Sequence, residues 1–290
     1  NKYLKPKVSR LVGYMCSILA SHDNIDRISF GESLWKNVIF PSLSHGCPVW
    51  FCNTKQSIAS IQSMQYSVAR ALLRVKSTPA VSATLGDLGW LPCNMILNRQ
   101  RVNYFSRMKY QIPQSRLCKR IFNDMELNHR NSRSNTWCYF KEIGNILTDV
   151  GLDYGISGSC PNLSDSFYRL SLDAYKQNFK YDLDGKASLS YYKEFKTSSF
   201  SENYLYDMSD FEGARLKFKA RTSCLGLQVD QARWGQSDGT CKLCNCGQED
   251  IAHLLFICPV LNQIRTDCFW QLESQLGSKE YSLWHHFISS

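Results

Sequence analysis

From Gln56 to Val75 the apolar positions Ile58, Ile61, Met64, Val68, Leu72 and Val75 recur every three or four residues. That spacing puts them on one face of a helix. Arg70, Arg74 and Lys76 gather at its end, where cations also suit the helix dipole. A second helix is predicted from about Asn94 to Tyr110, and a shorter one from Ser33 to Ile39, broken near Pro41. Pro41 to Trp50 reads as a buried turn, and Leu85-Gly86-Asp87-Leu88-Gly89-Trp90-Leu91-Pro92 as a turn-rich connector. Residues 151–165 are rich in helix breakers and suggest a linker. Residues 166–223 return to weak helical patterning, with a basic helix over Phe211 to Arg221. The expected fold is therefore mainly α, in two regions of about 1–150 and 151–290.

Charge separates the two regions. Residues 1–135 hold 19 Lys and Arg against 6 Asp and Glu, whereas residues 136–290 hold 15 against 19. A basic half suggests a polyanionic partner, because neutralised phosphates release counterions. The bland alternative is a solvated basic face. No run approaches the roughly 18 apolar residues of a membrane span. The opening Asn1-Lys2-Tyr3-Leu4-Lys5-Pro6-Lys7 has no initiator Met and no signal-peptide shape, which suggests a piece of a longer protein. Thirteen cysteines, an odd number and mostly scattered, argue against a secreted disulfide framework. A reducing, intracellular compartment with buried thiols is the expectation.

Four of the remaining chemistry-bearing residues form a pattern. Cys241, Cys244, His253 and Cys258 follow the spacing C-x2-C-x8-H-x4-C. Two thiolates two residues apart sit at the mouth of one tight turn, and a short helix from Glu249 to Ile257 with its exit can deliver the other two ligands. Three thiolates and one imidazole leave no open position, which describes structural zinc rather than a catalytic centre. Cys246 offers an alternative register, although Cys241 with Cys244 is the better pair by loop geometry. A helix from Pro259 to about Leu276 is expected to follow this knuckle at 240–259. Such a segment has too little core to stay folded without its ion.

The finger and its flanks resemble the C-terminal region of non-LTR (LINE-type) retrotransposon reverse transcriptases. The residues that carry this are Arg221-Thr222-Ser223-Cys224-Leu225-Gly226-Leu227, Arg233-Trp234, Cys241 and Cys244, Glu249-Asp250, His253 to Pro259 and Ile264-Arg265. Leu34-Trp35, Pro41-Ser42-Leu43-Ser44-His45-Gly46, Val49-Trp50 and the Leu85 to Pro92 segment are similar to the stretch after the palm that leads into the thumb, with His45 in place of the usual Tyr. The resemblance covers about 1–110 and 210–270. It implies a thumb-like first region that grips nucleic acid through Arg70, Arg74, Lys76, Arg99, Arg101, Arg107 and Lys109, a knuckle that engages RNA or DNA, and a place in nucleus and cytoplasm.

The polymerase signature of that family is a Tyr/Phe-Ala-Asp-Asp turn, and this chain has no Asp-Asp pair. Polymerase chemistry is thus expected of a parent protein and not of this piece. No phosphate-binding loop, nucleophile elbow or H-E-x-x-H motif is present. His285-His286 reads as a solvated tail, and Trp35, Trp50, Trp90 and Trp234 as core anchors. The competing function class is a protein-interaction module stabilised by zinc, favoured by the net charge of −4 in the second half. An inactive remnant is a third class.

Overall fold

The structure, a computed structural model, describes residues 4–21, 26–49, 55–131, 138–152, 162–196, 198–207, 210–277 and 282. Trp50, residues 153–161 of the expected linker and His285-His286 lie outside them. The described chain is mainly helical and contains no strand, only an isolated antiparallel bridge between Thr240 and Gln248. Two compact units divide at Lys217/Phe218.

The first unit opens with α1 (Leu4–Ser21) and α2 (Arg27–Leu34), followed by a π-helical turn at Trp35–Ile39 and α3 (Phe40–Ser44). The helical run from Arg27 continues without a break through Pro41 to Ser44, so the break expected there does not occur; the π-helical turn just before the proline lies where its ring and missing N–H disturb regular α-helical bonding. Next comes α4 (Lys55–Leu72), which buries Ile61, Met64, Val68 and Leu72 as its spacing predicts. A side chain closes its C-terminal end. The Arg27 guanidinium donates to the carbonyls of Leu72 at 2.8 Å and Ala71 at 3.0 Å, satisfying acceptors the helix leaves over. Buried Gln65 donates to the Leu91 carbonyl and accepts from the Cys93 N–H, so it caps the next long helix in place of Pro92, which has no capping side chain.

The segment Leu85 to Pro92 differs from its expected form as a connector. Its first residues complete α5 (Val81–Asp87), and only Leu88 to Pro92 turn. Gly86 is there for space: a Cβ would come within 2.7 Å of Phe179 and 3.0 Å of the Tyr192 hydroxyl. Gly89 has φ +64° and lies against the Ser201 backbone, two reasons for glycine. Trp90 stacks on Trp35 at 5.5 Å and donates to Glu32 at 2.7 Å, so both are core anchors as expected.

Beyond it run α6 (Cys93–Ser106), extended by a π-helical turn to Gln111, then α7 (Leu117–Asn131), α8 (Tyr139–Thr148) and α9 (Leu163–Gly185). Val102, Phe105, Met108, Phe122, Phe140, Ile143, Leu147 and Phe167 form their shared core. Helix α9 packs on α6, which is why the compact unit does not end near residue 150, where the breaker-rich composition suggests a boundary. A further cluster joins Ala83, Phe179, Leu183, Leu189 and Tyr192, the last on α10 (Ser190–Phe195). Buried Asp87 receives hydrogen bonds from the hydroxyls of Tyr192 at 2.6 Å and Tyr204, and lies 3.8 Å from the Lys196 ammonium. Lys196 is itself bound to Glu202 at 2.7 Å and to the Phe200 carbonyl.

Helix α11 (Phe211–Arg221) contains the division between the units. The second unit continues with α12 (Gln228–Ala232), the cysteine-rich turn, a π-helical turn at His253–Ile257 and α13 (Asn262–Leu276). Glu249 accepts from the Gln228 N–H at 3.1 Å and thereby ties the turn to the start of α12. Trp234 is 75% exposed and is not the core anchor its residue type suggests.

Candidate metal centre

Local backbone geometry assembles the first pair of cysteines. Cys241 donates its N–H to the Gly247 carbonyl and Glu249 donates to Gly239, on either side of the Thr240–Gln248 bridge. The Asn245 N–H returns to the Cys241 carbonyl at 2.9 Å, and Asn245 takes a left-handed φ of +54°, which Asn tolerates better than most residues. This tight knuckle turns the Cys241 and Cys244 thiols to one point.

The second pair comes from the following helical turn. Asp250 accepts from the His253 N–H at 2.7 Å, securing the start of that turn, and the Cys258 N–H closes it on the His253 carbonyl at 2.8 Å. Arg265 donates to the Cys258 carbonyl at 2.9 Å and so anchors α13 to the ligand-bearing exit.

The ligand atoms of Cys241, Cys244, His253 and Cys258 all lie within 4.8 Å of one another. Tetrahedral coordination at about 2.3 Å per sulfur spaces ligands by roughly 3.5–4 Å, so this group could hold a metal ion with small adjustments. The His253 Nε2 stands 3.3 Å from the Cys244 sulfur, which identifies it as the nitrogen aimed at the centre. Cys241, His253 and Cys258 are buried and Cys244 is half-buried. The Cys241 thiol is lowered to about 7, chiefly by the Cys244 backbone N–H and then against the opposing effect of burial. Burial pushes the Cys258 thiol up. N–H donors that favour the thiolate at Cys241 suit a cation that takes thiolates.

Cys246 is exposed and points away from the group, its sulfur directed at the Cys244 carbonyl. Its N–H instead faces the Cys244 sulfur at 3.4 Å. Cys246 thus stands outside the four-atom group and its N–H supports the Cys244 sulfur, which favours Cys244 over it as the partner of Cys241.

The expected nucleic-acid residues do not form one surface. Arg101 is 5% exposed and paired with Glu142 at 2.6 Å, holding α6 to α8. Lys109 is paired with Glu126, and Arg99 lies 3.8 Å over the Tyr168 ring. Their positive charges serve internal contacts because α7, α8 and α9 pack against α6 and its π-helical extension and each meets one of them, through Glu126, Glu142 and Tyr168 respectively. Arg70 reaches back to the Lys76 carbonyl and stands over Tyr66, while Arg74 pairs with Glu212 at 3.4 Å. Arg70 is half-buried and Arg74 exposed; Lys76 and Arg107 are also exposed. Arg70, Arg74 and Lys76 are the subset that shares one helix end.

No local sequence pattern marks the polar network around Asp87. The Leu-Gly-Asp-Leu-Gly-Trp segment contains it, but its partners Tyr192, Lys196 and Tyr204 lie more than a hundred residues away. Among the described residues, no helix is long and apolar enough to cross a membrane. Comparison with protein-family models, curated proteins and solved structures returns no match for the chain, so the four-ligand group and its surroundings are read from their own geometry.

Proposed function

We propose that the chain is the C-terminal, nucleic-acid-handling part of a LINE-type retrotransposon reverse transcriptase, with structural zinc at Cys241, Cys244, His253 and Cys258. The closed four-ligand group is the observation that carries this reading. Three sulfurs and one nitrogen suit Zn2+, and ligation by four protein groups would leave no place for substrate or activated water. The order of motifs supports the family reading: the Pro41–Gly46 and Leu85–Pro92 segments precede the finger, as they do in that family. In this role the first unit holds template and primer by their backbones, and the knuckle positions RNA or DNA without specifying sequence. Chemistry belongs to a catalytic domain outside this chain.

A second reading is an element-derived module that binds protein through the zinc unit. Leu255, Ile257, Val260, Ile264 and Trp270 are exposed beside or beyond the finger, and residues 136–290 carry a net charge of −4. These features suit an apolar partner better than a phosphate backbone.

Metal analysis and salt-dependent binding separate the readings. Protein purified anaerobically is expected to carry one equivalent of zinc; less than a tenth rejects the site. Fluorescent single-stranded RNA and duplex DNA are expected to bind at low salt and weaken linearly on a log–log plot as salt rises. Absence of binding at low salt, or binding insensitive to salt, rejects the nucleic-acid role and leaves the protein-binding module.

A further inference from the structure

A cavity of about 530 Å3 opens in the first unit between α9, α10 and the loop after it. Its size falls within the range of about 300–1,000 Å3 typical of ligand sites. Lys176 and Lys180 stand one turn apart on α9, and Lys193 faces them from α10. Ser198 and Ser199 add hydroxyls and backbone groups, while Phe179 and Leu183 form an apolar floor. Phe200 lines the cavity yet is 73% exposed, so its ring offers a free face.

The lining is positively charged and prearranged. Lys180 and Lys193 have no acidic partner among the described residues, and the Lys176–Asp173 contact is a loose 4.0 Å pair at the surface. Asp184 is the single acid in the lining. Lys196 closes the base: its side chain is fully buried, and its ammonium bonds to Glu202 and to the carbonyl of Phe200 itself. The buried lysine therefore fixes the backbone that carries the exposed ring, so little ordering cost remains on binding.

We propose that this cavity is a binding site for a single nucleic-acid strand, with Lys176, Lys180 and Lys193 on consecutive phosphates and a base stacked on Phe200. The proposal rests on the nucleic-acid reading above and gives it a location outside the residues that reading names. Cations that track a backbone beside an exposed aromatic ring are the physical components of strand binding without sequence preference. A duplex fits less well, because its base faces are already stacked and a concave site of this size admits only splayed nucleotides. The sequence pattern hides the site, since Lys193 and Phe200 are brought to α9 only by the packing of Leu189 and Tyr192 on Phe179 and Leu183.

The test is fluorescence anisotropy of the intact, zinc-loaded chain with a labelled oligo(U) strand across a salt series. The triple variant K176Q/K180Q/K193Q is expected to flatten the log–log salt slope by about 2, at roughly 0.7 per lost phosphate contact. Phe200→Ala is expected to weaken binding about 5- to 150-fold with the salt slope unchanged, as loss of one stacked base implies. Lys186→Gln, which removes an exposed lysine paired with Asp182 outside the lining, serves as the control and is expected to bind like wild type. Circular dichroism and denaturation of each variant confirm that the fold is kept. Wild-type binding that none of the site variants alters overturns this site and leaves the nucleic-acid reading standing. Absence of wild-type binding at low salt overturns both. Displacement of the strand by ATP at an affinity equal to the strand's own overturns the strand as occupant.

Discussion

Cys258→Ser is expected to unfold the cysteine-rich turn and its neighbours, from about 240 to 270, while the first unit keeps its structure. A serine hydroxyl does not ionise near neutral pH and does not replace a thiolate. The sulfur lost is fully buried, and its carbonyl anchors α13 through Arg265. Structural zinc is linked to folding free energy on the order of 10 kcal/mol. Little else holds this region: α13 has no buried residue, and the bridge between Thr240 and Gln248 is isolated. Hydrogen exchange is the appropriate measurement, with fast exchange expected at the amides of Cys241, Glu249 and Cys258 and unchanged protection in α4 and α6. Cys246→Ser is the internal control and is expected to keep the metal, because that sulfur lies outside the group. Protection at 240–270 that survives both Cys258→Ser and chelation would show that the region folds without an ion.

Asp87→Ala is expected to destabilise the first unit by about 3–5 kcal/mol, because it removes one of the two carboxylates beside the buried Lys196 ammonium and the acceptor of the Tyr192 and Tyr204 hydroxyls. The carboxylate and the Lys196 ammonium are both fully buried, 3.8 Å apart. The same carboxylate accepts from Tyr192 and Tyr204, and the Asp87 carbonyl accepts from the Glu202 N–H at 2.8 Å. One residue thus ties the segment from Ser190 to Tyr206 onto α5. Tyr192→Phe removes a single hydrogen bond and is expected to cost less, about 1–2 kcal/mol. Urea denaturation of the intact chain followed by tryptophan fluorescence measures both, since Trp35 and Trp90 report on the adjoining core. A loss below 1 kcal/mol for Asp87→Ala would mean that Glu202 alone satisfies Lys196.

These two sites differ in how visible they are before folding. The four residues of the candidate metal group fall within eighteen consecutive positions, and their spacing reflects a knuckle and one helical turn, both of which local backbone geometry builds. The helical class is legible for the same reason. The face of α4 repeats at 3.6 residues because that face alone is buried, and Ile61, Met64, Val68 and Leu72 lie where the period puts them. Phe211 to Arg221 likewise forms the helix its pattern predicts.

Other features depend on which surfaces meet. Arg101 and Arg107 look alike in sequence, yet one is buried against Glu142 and the other is exposed, because α8 covers one side of α6. Glycine and aspartate read as turn residues in Leu85 to Pro92, but Gly86 and Asp87 close a helix, where contact with Phe179, Tyr192 and Lys196 outweighs local propensity. The extent of the first unit, past residue 150 to Lys217, follows from α9 packing on α6 rather than from composition. The helical class, the main helix faces and the Cys241, Cys244, His253 and Cys258 group that could hold a metal are legible in the chain, since each is written in short-range spacing. Only the tertiary structure decided which lysines and arginines remain on the surface, what Asp87 holds, and where Lys176, Lys180, Lys193 and Phe200 converge, because burial and charge pairing are set by neighbours distant in the chain.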